Sequence, residues 1–166
     1  MSSSSKQQLI NAFKDETART RRVLAAFPAS ASEARPHPTS QSARELVHTF
    51  CIEAGIGIAA VNGTLDLSKM GSMPAAPATW AEVVKAFDGA YAGLLTALEA
   101  SSDADLATTV VFMTGPNQMG PMAKAAILQF MLSDHIHHRG QLSVHLRMSG
   151  AKVPSIYGPS KDEPWM

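Results

Sequence analysis

The sequence predicts an all-α fold, a four-helix bundle, and three observations point there. Four segments repeat apolar residues at helical spacing, gaps rich in Pro, Gly or Ser separate them, and no convincing pair of alternating runs suggests a sheet. At 166 residues and 45 % hydrophobic composition, one domain over residues 1–166 can bury a core without disulfides. An extended tail is expected from about residue 150.

The first helix runs from about Gln7 to Phe27, with Leu9, Phe13, Ala18, Val23 and Leu24 near the helical repeat and Pro28 closing it. After the linker "ASASEARPHPTSQ", a second helix spans about Ser42 to Asn62. It contains Gly55 and Gly57, each costing roughly 1 kcal/mol against alanine, so another helix should pack close there. In "TWAE", Thr79 and Glu82 form the two halves of a capping box, opening a third helix that reaches about Ala100. The run Thr108–Met113 favours β structure and is followed by a Gly-Pro turn; it is read as an ordered loop. From Pro121 a long fourth helix continues to about Ser149, where Gly150 suits a left-handed C-cap. The tail "VPSIYGPSKDEPWM" has no helical repeat.

Composition narrows the function classes. Lys plus Arg equals Asp plus Glu at 14 each, and no basic run stands out, which argues against nucleic acid as a partner. Cys51 is the single cysteine, so a cysteine-based zinc site is excluded and a reducing, cytoplasmic location fits. The stretch "AGIGIAAV" is too short to span a bilayer.

The informative segment is "SDHIHHRGQLSVHL", residues 133–146, which holds four of the six histidines. On a helical wheel, Ala123, Ala126, Ile127, Phe130 and Met131 define an apolar arc, and that arc continues through Asp134, His138, Gln141, Leu142 and His145. Asp134 and His138, four apart, project from one face. A carboxylate and an imidazole entering a core need a partner, and a divalent cation can stabilise both. On the second helix, His48 shares an apolar row with Cys51, Ile52, Gly55 and Ala59, so His48, Asp134 and His138 form a candidate two-histidine, one-carboxylate ligand set with open positions. Plainer readings stand beside it: His48 as a hydrogen-bonded core histidine, and Asp134 with His138 as a neutralising pair. His135, His137 and His145 read as surface or supporting residues, with His145 best placed to orient a ligand. Arg139 reads as solvent-facing or structurally paired, Gln141 as a site hydrogen bonder or face filler, and Tyr157 either as a residue that closes over the site and lends it a hydroxyl or as a structural anchor for the tail. Cys51 reads as an inert thiol. Leu128, Leu132 and Leu146 form a second apolar strip that meets either another helix of the bundle or a twofold partner.

At "DHIHHRGQLSVHLRMSGAKVPSIYGPS", together with "ELVHTF", the sequence resembles the DinB family, also called the DinB/YfiT-like metalloenzymes, and the order and spacing of the helices agree over nearly the whole chain. The resemblance implies a four-helix bundle, commonly a homodimer, with a divalent metal, zinc or nickel, held at positions that are His48, Asp134 and His138 here. Many relatives carry histidine where Asp134 stands, which leaves His135 as an alternative ligand. It further implies a small-molecule substrate and either transfer chemistry with a low-molecular-weight thiol cofactor or metal-dependent hydrolysis. A non-catalytic, metal-stabilised stress-response module is the alternative outside enzymes. No catalytic acid or base stands out; His135, His137 or His145 could serve.

Overall fold

A computed structural model describes residues 4–67 and 74–166; part of the linker before the third long helix therefore lies outside the described residues. Helix α1 is Ser5–Ala26, a 3-10 turn follows at Ala29–Ala31, α2 is Ala43–Val61 and α3 is Trp80–Ala100. A short α4, Asp103–Ala107, leads into strands β1, Thr109–Gly115, and β2, Gln118–Ala123, before the long α5, Lys124–Met148. The fold is thus mostly helical with a small antiparallel sheet.

Local chemistry sets the helix ends. Ser42 accepts from the Glu45 amide while Glu45 returns a bond to the Ser42 amide, and Thr79 with Glu82 does the same, so each pair satisfies two amides that lack helical partners. At the other end of α2, the Lys124 ammonium donates to the Val61 carbonyl at 3.0 Å, placing a cation on the helix C-terminus. Gly150 sits at φ +78° just past α5, the left-handed conformation predicted for it.

The four long helices carry the core: α2 packs on α3 and α5, and α1 packs on α5 and α3. Gly57 is where two neighbours approach α2, since a Cβ there would meet Leu94 Cδ1 at 3.0 Å and Leu128 Cδ2 at 3.5 Å. Gly55 contributes nothing of the kind; a Cβ there meets no atom within 4 Å.

Two expectations are corrected. The run Thr108–Met113 is not a loop. Residues Thr109–Gly115 pair with Gln118–Ala123 in antiparallel register, Val111 opposite Pro121 and Met113 opposite Met119, around a turn whose Asn117 takes φ +58°. Phe112 is 1 % exposed and its ring meets Phe130, so the hairpin is fastened to α5 by one buried aromatic. Pro121 therefore belongs to β2, and α5 starts at Lys124. The second correction concerns the inward face of α5. Ile127, Leu128, Met131, Leu132, His135, Arg139, Leu142, His145 and Leu146 are buried, whereas Ala126 is exposed and Phe130 is 49 % exposed. The strip Leu128, Leu132 and Leu146 lines the protein's own core, and Asp134 and His138 lie on its flank.

Candidate metal centre

Rotating α5 onto its true inward face places His135 at the centre of the core. Its Nε2 lies 2.7 Å from Thr20 Oγ1 on α1 and its Nδ1 lies 2.5 Å from the Tyr91 hydroxyl on α3. Burial pulls its pKa down to about 4, so the ring is neutral near pH 7 and both nitrogens are occupied. Expected at a surface or supporting position, His135 thus takes a buried one, hydrogen-bonded to α1 and α3. Arg139, one turn on, is 2 % exposed; its Nη1 pairs with Glu16 Oε2 at 2.6 Å and also donates to the Glu16 carbonyl at 3.2 Å. The Tyr157 hydroxyl donates to Glu16 Oε2 at 2.6 Å and accepts from Arg139, which ties the tail to α1 and α5.

On the flank, three acceptor groups converge. Donor atoms of Glu53, Asp134 and His138 all lie within 4.8 Å of one another. His138 Nε2 sits 2.9 Å from Glu53 Oε1 and 3.6 Å from Asp134 Oδ1. Glu53 projects from the inward face of α2, shared with Leu46, Phe50 and Gly57, and only 5 % of it is exposed. Despite the close imidazole, neither of its oxygens receives a hydrogen bond of good geometry among the described residues. Burial pushes its carboxyl up, against the pull of His138. His138 moves up as well, because of Glu53, against its own burial. A buried carboxylate without donors costs free energy, and a cation between the three groups removes that cost.

Gln141 orients this imidazole. Its Oε1 accepts from His138 Nδ1 at 3.1 Å while its Nε2 lies 3.0 Å from His137 Nε2. Holding a proton on Nδ1 turns Nε2, the nitrogen facing Glu53 and Asp134, into the position able to bind a metal. His137 is otherwise exposed.

His48 is not part of this group. It lies five residues before Glu53 on α2, about 140° away around the helix, and lines a groove with Glu45, Thr49 and Ile52. Burial and the neighbouring Arg44 lower its pKa, so it is a neutral imidazole. His145, buried at the far end of α5, does not orient His138; its ring meets the backbone of Ala34 instead. Cys51 is pushed up to about 11 by burial and is no nucleophile at neutral pH.

Comparison with known proteins follows the same lines. The profile of the DinB family matches residues 1–165. The chain belongs to the DinB family. Its fold is similar to a DinB-like protein (YjoA) from Bacillus subtilis, TM-score 0.70 at 19 % identity over 89 % of this chain and 96 % of that one. It is equally similar to a DinB-like protein from Bacillus cereus ATCC 10987, TM-score 0.70 at 21 % identity over 90 % and 95 %. A 42-residue stretch is 45 % identical to the uncharacterized protein YrdA of Bacillus subtilis (strain 168), spanning only a quarter of each chain. No helix among the described residues is long and apolar enough to cross a membrane.

Proposed function

We propose that this DinB protein is a divalent-metal-dependent enzyme acting on a small molecule, with Glu53, Asp134 and His138 holding the ion. The observation that carries the reading is Glu53: a buried carboxylate with no hydrogen bond of good geometry among the described residues, 2.9 Å from an imidazole whose other nitrogen is already fixed and close to a second carboxylate. One nitrogen and two carboxylates suit zinc and other first-row divalent ions, nickel among them. When bound, such an ion supplies Lewis acidity that lowers the pKa of a water or thiol reaching it. The chain's own residues then have defined work. Gln141 keeps the proton of His138 on Nδ1, Glu53 and Asp134 bring two negative charges against the cation, and Phe50, edge-on to His138, shields one side from water.

Transfer involving a low-molecular-weight thiol is the reaction we assign first. Its support is the resemblance of the sequence to thiol-using relatives together with Cys51, whose raised pKa means that any thiolate comes from outside the chain. Hydrolysis is favoured by one specific observation: two carboxylates already balance a dication, so water joins without excess negative charge and thiolate does not. A homodimer belongs to the same reading, and the exposed Val111, Met113 and Met119 on the outer face of the hairpin are the apolar surface it would cover.

A second ligand assignment puts His48 in the place of Glu53, because His48 is neutral and has no hydrogen-bond partner among the described residues. Elemental analysis of untagged protein separates the two. Near one ion per wild-type chain, lost in Glu53→Met and kept in His48→Ala, is the expected pattern; the reverse pattern gives the site to His48. No ion in the wild type removes the enzyme reading, and unfolding of the protein by chelator would make the ion structural.

A further inference from the structure

The two edges of the hairpin are not alike. The Lys124 amide donates to the Thr108 carbonyl at 3.0 Å, and Val111 stands opposite Pro121, which has no N–H to give. Bonded and non-bonded pairs alternate along an antiparallel ladder, so Thr108, Val110 and Phe112 bond inward, whereas the backbone groups of Thr109, Val111 and Met113 point away from β2. None of those outward groups has a hydrogen bond among the described residues. On the opposite edge the outward residues are Met119, Pro121 and Ala123, and the proline removes the central donor. One edge is guarded, and the other is open.

Natural sheets blunt an open edge with charge, often lysine. Here the residues from Leu106 to Ala123 include no Asp, Glu, Lys or Arg, although such residues make up 17 % of the chain. The side chains along the open edge are apolar as well as accessible: Val111 is 56 % exposed and Met113 51 %, while Phe112 on the other face is buried. Unbonded amides, no charge and exposed apolar side chains thus coincide on one short stretch, the combination that accepts a further strand.

The spacing of that stretch selects the strand. The outward residues lie evenly about Val111, and the ladder's register shifts only beyond them, between Met113 and Gly115. An antiparallel copy of β1 therefore sets Val111 against the partner's Val111 and Thr109 against the partner's Met113, every outward amide matched and no like charges opposed.

We propose that β1 is a dimer seam, two copies pairing edge to edge about a twofold axis at Val111 and joining their hairpins into one four-stranded sheet. The inference gives an interface to the homodimer named under the proposed function and rests on that part of it alone; the metal centre does not enter. A seam of about six hydrogen bonds lies at the small end of specific interfaces, so association should fall in the micromolar range.

The test is sedimentation of untagged, isotope-labelled protein over a dilution series, with amide hydrogen exchange read by NMR and zinc counted in the same samples. A dimer that dissociates on dilution is expected. In it the amides of Thr109, Val111 and Met113 should exchange at least about tenfold more slowly than in the monomer, while Val110 and Phe112 stay protected in both. Val111→Pro removes only an outward donor, repeating on β1 what Pro121 does on β2, and should weaken association at least about tenfold. Val111→Lys, which sets two ammonium groups side by side across the axis, does the same should the proline variant fail to fold. Met119→Ser trims the apolar face without touching an amide and should weaken it less. A dimer whose outward amides exchange freely, that both Val111 variants leave intact, or that Met119→Ser weakens more, uses another surface; it overturns the inference and leaves the homodimer standing. A monomer at every concentration overturns both, and slow exchange persisting in the monomer gives the edge to another segment of the same chain and overturns the seam. Zinc per chain should be the same in monomer and dimer, so the metal reading stands or falls on its own count.

Discussion

Replacing Glu53 with methionine should stabilise the metal-free protein and destroy its response to metal. Glu53 is 5 % exposed and its oxygens have no donor of good geometry among the described residues, so the wild type bears the cost of an unsatisfied buried polar group, about 1–3 kcal/mol. Methionine has similar length and no polar demand. The loss of the His138 contact at 2.9 Å is the opposing effect. It is small at pH 8, because His138 can shed its proton and leaves no stranded charge, and Asp134 loses a repelling neighbour. The net gain should raise the melting temperature in chelator by roughly 2–12 °C for a chain of this size. Zinc at a hundredfold excess over its dissociation constant should add about 2.7 kcal/mol to the wild type and nothing to the variant. Calorimetric or fluorescence melts of both proteins, with chelator and with zinc, give the four values needed. A variant that melts below the wild type in chelator would show that His138 already satisfies Glu53. A variant that still gains from zinc would remove Glu53 from the ligand set.

Three further outcomes follow from the packing and the tail. Gly55→Ala should stabilise by up to about 1 kcal/mol, as its Cβ meets open space, while Gly57→Ala should lose that gain by pressing on Leu94, a contrast that paired urea melts will measure. Tyr157→Phe removes hydrogen bonds to Glu16 and Arg139 and should cost about 1.5–3 kcal/mol, with faster proteolysis of the tail beyond Gly150 as a second readout. Burial pushes the Glu16 carboxyl up, but Tyr157 and Arg139 outweigh it and hold its pKa below the ordinary value. The stability this pairing supplies is therefore full above the ordinary carboxylate pKa and is lost as pH falls through the lowered one, so wild type should lose more stability than Glu16→Gln on acidification below about pH 5. Parallel acid slopes for the two proteins in urea melts would count against the pairing.

Helix positions were legible in the sequence because their signals are local. The capping box at Thr79 and the left-handed Gly150 need only a few neighbouring residues to be recognised, and the structure has both. The hairpin was half legible: Thr109–Met113 has strand character of its own, but its partner "QMGPMA" has little, and a strand exists only where a second one satisfies its amides. The site divides in the same way. Asp134 and His138 are four apart on one helix, so their proximity follows from helix geometry alone. Glu53 escaped notice because a lone acid on a helix reads as solvent-facing, and α2 carries apolar or small residues nearly all round, so its periodicity does not choose between the row of His48 and the row of Glu53.

By itself, then, the sequence determined the four long helices, the caps at Thr79 and Gly150, the i, i+4 pair and the family resemblance, all of them properties of short or contiguous stretches. Only the tertiary structure decided how each helix is rotated. That rotation buried His135 and Arg139, set Glu53 against His138 and turned His48 aside, since it is fixed by the side chains of three neighbouring helices competing for the same volume.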